Sequence, residues 1–253
     1  ADIVVSNGAK HSLYNIFMAL CREGDEVIIP SPYWLSYPEM GNIAGGKPVF
    51  VKCDEKNDFK MTSEQFEKAI TPKTKALILC SPSNPVGNVY SKDEIRKIGE
   101  IAAKHGVYIV SDEIYEKIVY DGAEHVSIGS VSKKVFDLTI TVNGFSKVYS
   151  MTGWRLGYLA GPAELIKAIN AFQSHSTSGP NTFAMFGAVE AMKHGAEFTK
   201  KMVAAFDERR KYMYQRLTSI KGVTCSKPLG AFYMLPNISS FGIPSIKFCE
   251  MLL

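Results

Sequence analysis

Short apolar runs recur along the chain, each closed by Gly, Pro or Asp, and between them lie longer stretches whose apolar positions repeat at helical spacing. That alternation is the pattern of βα units wound around a mostly parallel sheet. It predicts strands over residues 26–29, 48–52, 75–79, 107–111, 138–142 and 155–160, with helices between them. Two helix starts are marked by capping boxes. Ser91 has Glu94 three residues on, opening a helix through residue 105, and Thr62 has Gln65, leading into 66–70. The predicted fold class is α/β: a three-layer α/β/α sandwich with a mostly parallel sheet.

At residue 196 the texture changes. EFTKKMVAAFDERRKYMYQRLTSI is one long, charge-laced helical pattern, followed by strand-like pieces at 223–226 and 231–235 and a helical segment over 245–253. The expected organisation is therefore a large domain over 1–195, then an interdomain helix and the start of a small α+β domain over 196–253. The chain opens on an apolar run without a Met and stops inside its last helical pattern, so both ends are expected to continue in a longer protein.

Composition narrows the function classes. With 46% apolar and 21% charged residues, the chain has the material for a sizeable core, which excludes disorder as its main state. Its 29 Lys and Arg against 25 Asp and Glu leave a net charge of +4, and the bases are mixed with acids in EKNDFK, KDEIRK and ERRK. No basic stripe forms, so nucleic acid is not an expected partner. No apolar run reaches the roughly 18 residues of a membrane span. The five cysteines are scattered, without a CxxC pair and with one left over, which fits a reducing compartment, the cytoplasm.

In open α/β sheets ligands collect at the carboxyl ends of the strands, so polar residues directly after buried runs are the candidates for chemistry. The run GVYIVSDEIY presents Asp112 and Glu113, either as strand-end acids or as a fixed anion for a positively charged ligand atom. LTITVNGFSK delivers Lys147 in a turn after a buried strand, where desolvation would lower its pKa and free a neutral amine. Arg155 follows eight residues later, a structural arginine or a planar fork for phosphate. SPSNPVG is a turn whose Asn84 stands between two prolines and can point its amide inward. Asn7-Gly8-Ala9-Lys10 precedes a helical segment, so helix N-terminal amides are available for an anion. No GxGxxG follows a strand and no HExxH spacing occurs, so neither a nicotinamide site nor a metal site is expected.

Taken together, SNGAK, SPYW, SPSNPVG, SDEIY and SKVYSMTGWR occur in an order and spacing that resemble the class I/II aminotransferases, pyridoxal-phosphate enzymes of fold type I. SYPEM, ITPKTKAL and MTGWRLGY are similar to strings of the bacterial aspartate-aminotransferase-like branch, and the likeness runs from Ser6 to about Leu235. The resemblance implies amino transfer between an amino acid, acidic or aromatic, and a 2-oxo acid, by a cytoplasmic homodimer. It implies that Lys147 bonds the cofactor aldehyde and then shuttles a proton, while Asp112 pairs with the protonated ring nitrogen. Asn84 and Tyr115 would hydrogen-bond the ring's phenolic oxygen. Arg155, Ser146 and the Gly8, Ala9 and Lys10 segment would hold the phosphate, and Trp34 would stack on the ring.

The chain departs from the family pattern at three points. Many relatives carry Ser three residues before the catalytic Lys, where this chain has Gly144, and some carry His where it has Tyr37. The arginine that grips the substrate carboxylate in the family lies beyond the matched span, so these 253 residues alone are expected to transaminate weakly or not at all. A C–S lyase of the same fold would use the same Lys and Asp, and a non-catalytic cofactor-binding domain of a regulator would share the architecture.

Overall fold

The computed structural model describes residues 3–253. Seven strands make one sheet: β1 (Ile3–Ser6), β2 (Glu26–Ser31), β3 (Lys47–Lys52), β4 (Thr74–Cys80), β5 (Tyr108–Asp112), β6 (Thr139–Gly144) and β7 (Gly157–Ala160), in the spatial order β1-β7-β6-β5-β4-β2-β3. β2 to β6 pair in parallel, and β7 alone runs against both its neighbours. All six predicted strands are present, and the opening apolar run adds β1. The last of them starts at Gly157 rather than at residue 155, because Arg155 lies in the left-handed region (φ 53°) and cannot continue an extended run.

Helices α1 (Ala9–Leu20), α2 (Ser36–Ile43), α3 (Ser63–Ala69), α4 (Lys92–His105), α5 (Lys133–Phe136), α6 (Phe145–Val148) and α7 (Ala163–Ser174) cover the sheet and its edge. Strand residues alternate between two cores. Val27, Ile29, Ala76 and Ile78 face α1, α2 and α7 through Leu13, Phe17, Met40 and Ile169. Ile28, Leu77 and Leu79 face α3, α4 and α5 through Phe66, Ile95, Ile98 and Val135. Burial on both faces is why the strands read as unbroken apolar runs. Each fully buried Leu, Ile or Phe contributes about 1.5–3 kcal/mol, so these two layers hold the sheet edge rigid. Both capping boxes form: the Thr62 and Ser91 hydroxyls accept the Gln65 and Glu94 amides while the Gln65 and Glu94 side chains reach back.

Beyond α8 (Thr182–His194) the chain runs into α9 (Ala196–Thr218), then β8 (Thr224–Cys225) and β9 (Pro236–Asn237), which pair antiparallel, and α10 (Ser245–Leu252). The strand expected over 231–235 does not form. The segment 228–233 is instead a strap laid over the large sheet's loops. Leu229 N and Gly230 N donate to Gly87 O at 2.9 and 2.8 Å, and Ala231 N donates to Ile118 O at 2.9 Å. These donors are committed to the loops, and Ala231 has a φ of 55°, so no continuous ladder can pass through it. Among the described residues no helix is long and apolar enough to cross a membrane.

Candidate active site

Parallel pairing aligns the ends of three central strands. Asp112, the last residue of β5, sits in register with Cys80 at the end of β4 and with Val142 of β6. β6 then turns through Gly144 into α6, which carries Ser146 and Lys147, while β1 turns through Gly8 into α1. A cavity of about 330 Å³ opens at this edge, lined by Ala9, Lys10, Trp34, Asn84, Asp112, Tyr115, Ser146, Lys147 and Arg155. Gly8 borders it through Arg155: a Cβ at Gly8 would lie 2.3 Å from the guanidinium Nη2. The candidate residues of the sequence, scattered from Gly8 to Arg155, thus meet at one site.

Asp112 is 4% exposed. Tyr37 Oη donates to its Oδ2 at 2.7 Å and the Ile114 amide to its Oδ1 at 3.3 Å. Burial outweighs these donors and, with the neighbouring Glu113 charge, pushes the carboxyl up to about 6. Lys147 moves the opposite way. Burial and the Arg155 charge lower its pKa, with Asp112 partly opposing them. Its ammonium lies 6.0 Å from the Tyr115 ring centroid and 5.6 Å from that of Phe232. Burial and the adjacent Tyr233 hydroxyl hold the Tyr115 phenol far above its ordinary range, so it stays a neutral donor.

The opposite character gathers around Arg155. Its guanidinium donates to Thr152 O at 2.8 Å and to Asn7 O at 3.3 Å, which fixes it beside the first turn of α1. Gly8 (φ 87°) makes that approach possible. Lys10 Nζ stands 4.9 Å from the Trp34 ring centroid. Gly144 leaves no room for a serine, since a Cβ there would lie 2.9 Å from Leu156 O; the hydroxyl lining the cavity is that of Ser146. The donor set is that of a ligand with an anionic tail, an aromatic body and a cationic ring atom. Pyridoxal phosphate fits this set: Arg155, Ser146 and the α1 amides suit its phosphate, Asp112 its ring nitrogen, and Lys147 its aldehyde.

Three groups have supporting contacts that the sequence does not assign, among them Glu113, which the sequence offered beside Asp112 as a strand-end acid or fixed anion and which does not line the cavity. Tyr37 stands out there only as a departure, yet it is the donor to Asp112, held edge-on to Trp34 at 5.3 Å. Glu113 is buried and accepts from Ser111 and Ser127 at 2.9 and 2.7 Å, with His125 Nε2 at 3.1 Å. Glu116 brings a further carboxylate within 4.8 Å of this pair. With its oxygens already engaged by two hydroxyls and an imidazole, Glu113 anchors the strand end that carries Asp112. Nothing in the loop sequence around His125 announces that contact. Tyr233, third, reaches the cavity from the strap.

A mostly parallel sheet whose edge joins an amine, a buried carboxylate and a guanidinium beside a helix N-terminus defines an α/β protein that binds a phosphorylated, cationic-ring cofactor. Comparison with known proteins gives the family. The family model for aminotransferase class I and II matches residues 1–250. The chain is 52% identical over 237 residues to an aspartate aminotransferase of Geobacillus stearothermophilus, covering 94% of this chain and 60% of that protein. It is 46% identical over 240 residues to an aspartate/prephenate aminotransferase of Cereibacter sphaeroides, covering 94% and 60%. The crystal structure of an aromatic aminotransferase from Pyrococcus horikoshii superposes with a TM-score of 0.97 at 39% identity, over 100% of this chain and 68% of that one. The chain belongs to the class I and II aminotransferases, whose cofactor is pyridoxal phosphate. It spans about 60% of the length of the curated relatives it matches.

Proposed function

We propose that the protein containing this chain transfers an amino group between an acidic or aromatic amino acid and a 2-oxo acid, using pyridoxal phosphate. The cofactor supplies an aldehyde for the amino group and a ring that accepts electron density from the bond broken at Cα. Lys147, its amine partly desolvated, is the residue that would hold that aldehyde, and the same amine is placed to carry a proton to or from the substrate carbon. Asp112 keeps the ring nitrogen protonated. Tyr115 and Asn84 donate to the ring oxygen. Arg155, Ser146 and the Gly8, Ala9 and Lys10 segment hold the phosphate, and Trp34 covers the ring. The observation that carries this reading is the meeting of Lys147 and Asp112 in one cavity, the amine displaced downward and the carboxyl upward.

The substrate class rests on the relatives, which are named for aspartate, prephenate and aromatic amino acids. Residues 1–195 serve as the cofactor-binding domain and 196–253 as an interdomain helix and small-domain segment, in a cytoplasmic homodimer. Trp154, Phe183 and Phe186, exposed by 46%, 71% and 72%, supply an apolar face for the partner subunit. Borohydride reduction of protein loaded with pyridoxal phosphate tests the central claim. The cofactor's mass should be fixed on the peptide bearing Lys147 and be absent from that position in Lys147→Ala; an unmodified Lys147 in folded protein would overturn the reading.

A further inference from the structure

We propose that Tyr233, carried on the strap, is a positioning residue that orients the Tyr115 hydroxyl toward the cofactor and so makes the strap's placement part of the binding site. The proposal rests on the pyridoxal-phosphate reading above. The two phenol oxygens lie 2.7 Å apart, and both residues line the cavity that holds Lys147 and Asp112. Among the described residues neither hydroxyl has another hydrogen-bond partner within the protein. Each phenol has a single proton. If Tyr115 gives its proton to a ligand oxygen, the contact between the two phenols must be filled by the proton of Tyr233. The direction of the chain is thus set as Tyr233 to Tyr115 to ligand, an arrangement in which each bond polarises the next.

The strap is held tightly enough to serve this purpose. A Cβ at Gly230 would lie 2.6 Å from Pro82 Cβ, and one at Gly87 would lie 2.7 Å from Pro228 Cβ, so the strap and the Asn84 loop touch backbone to side chain. Tyr120 N donates to Leu229 O at 2.9 Å from the other side. Phe232 stacks on Phe206 of α9 at 5.0 Å and meets the Tyr115 ring edge-on at 5.4 Å. A shift of α9 or of the strap would therefore move the hydroxyl on which Tyr115 depends.

A double-mutant cycle on binding of pyridoxine 5′-phosphate, which has the ring oxygen and phosphate but no aldehyde, tests this without any turnover. Dissociation constants are measured by calorimetry for wild type, Tyr233→Phe, Tyr115→Phe and the double variant, each checked for an unchanged melting profile. Tyr233→Leu is carried through the same cycle, so the result does not hang on the folding of one variant. Loss of the Tyr233 hydroxyl should weaken binding roughly 3- to 10-fold when Tyr115 is present and less than about 2-fold in the Tyr115→Phe background. An equal loss in both backgrounds, or none in the first, overturns the proposal while leaving the cofactor reading intact. Absence of binding by wild type sinks both.

Discussion

Replacing Asp112 by Asn removes a titrating group while keeping its shape, and the structure fixes the sign and size of the effect. In the cofactor-free protein the carboxyl titrates near 6 rather than at its ordinary 3.8. The native state therefore keeps this proton to higher pH than the unfolded chain does. The contribution of Asp112 to stability is greatest below about pH 4, falls as the pH rises through 6, and is flat above. The interval corresponds to about 3 kcal/mol. Urea unfolding of wild type and Asp112→Asn at a series of pH values from about 4 to 7.5 isolates it, because every other group titrates in both proteins. Relative to the variant, wild type should lose about 3 kcal/mol across that range. Saturating pyridoxine 5′-phosphate should reduce the loss, since a ring cation facing Asp112 favours the ionised carboxylate. A difference between the two proteins that stays constant with pH, or grows in favour of wild type, would refute the burial argument.

Other outcomes follow from the same contacts. Tyr37→Phe keeps the ring against Trp34 but removes the 2.7 Å donor to Asp112, so the pH-dependent decline should extend to higher pH and affinity for pyridoxine 5′-phosphate at about pH 7.5 should fall roughly tenfold or more. Gly8→Ala would set a methyl 2.3 Å from Arg155 Nη2 at a φ of 87°; calorimetry should show roughly tenfold weaker binding of the phosphorylated ligand and near-normal binding of unphosphorylated pyridoxine. His125→Ala takes one of three partners from the buried Glu113 carboxylate, and urea unfolding should show a loss of about 1–3 kcal/mol; an unchanged midpoint would mean that water replaces the imidazole without cost.

Much of the sheet was legible because burial on both faces leaves a signature that one chain displays unaided. Ala76 to Leu79 and Val27 to Ile29 are apolar and buried at every position. Helix starts were legible where the capping groups are local, as at Ser91. The strap was not, because its apolar residues 231–235 resemble a strand, while its backbone hydrogen bonds go to Gly87 and Ile118, more than a hundred residues away in sequence. The same limit hid the partnerships of Tyr37 with Asp112 and His125 with Glu113. A side chain announces its donor chemistry, but its partner is set by the fold. Lys147 and Asp112 stood out as candidates because each lies at the carboxyl end of a buried strand; Arg155, which precedes β7, stood out only by its guanidinium and its spacing from Lys147.

A cavity arranged for stability alone would set a guanidinium against Asp112. The structure instead gives the carboxylate a phenol and one backbone amide, and holds Arg155 against the Gly8 turn beside α1. The cost of the buried carboxyl in the free protein and its attraction for a ring cation have one origin, because the same exclusion of water that lifts its pKa also leaves any charge brought beside it poorly screened. Lys147 obeys the same rule with the opposite sign, losing its proton more readily where burial and Arg155 disfavour a second cation. A ligand with a phosphate for Arg155 and a cationic ring for Asp112 satisfies both ends at once and recovers the free energy lost in keeping them apart. Arg155→Gln should for that reason do more than weaken phosphate binding. Removing its charge should raise the Lys147 pKa, seen as slower labelling of Lys147 by an amine-reactive probe at about pH 8, and unchanged labelling would show that burial alone sets the amine.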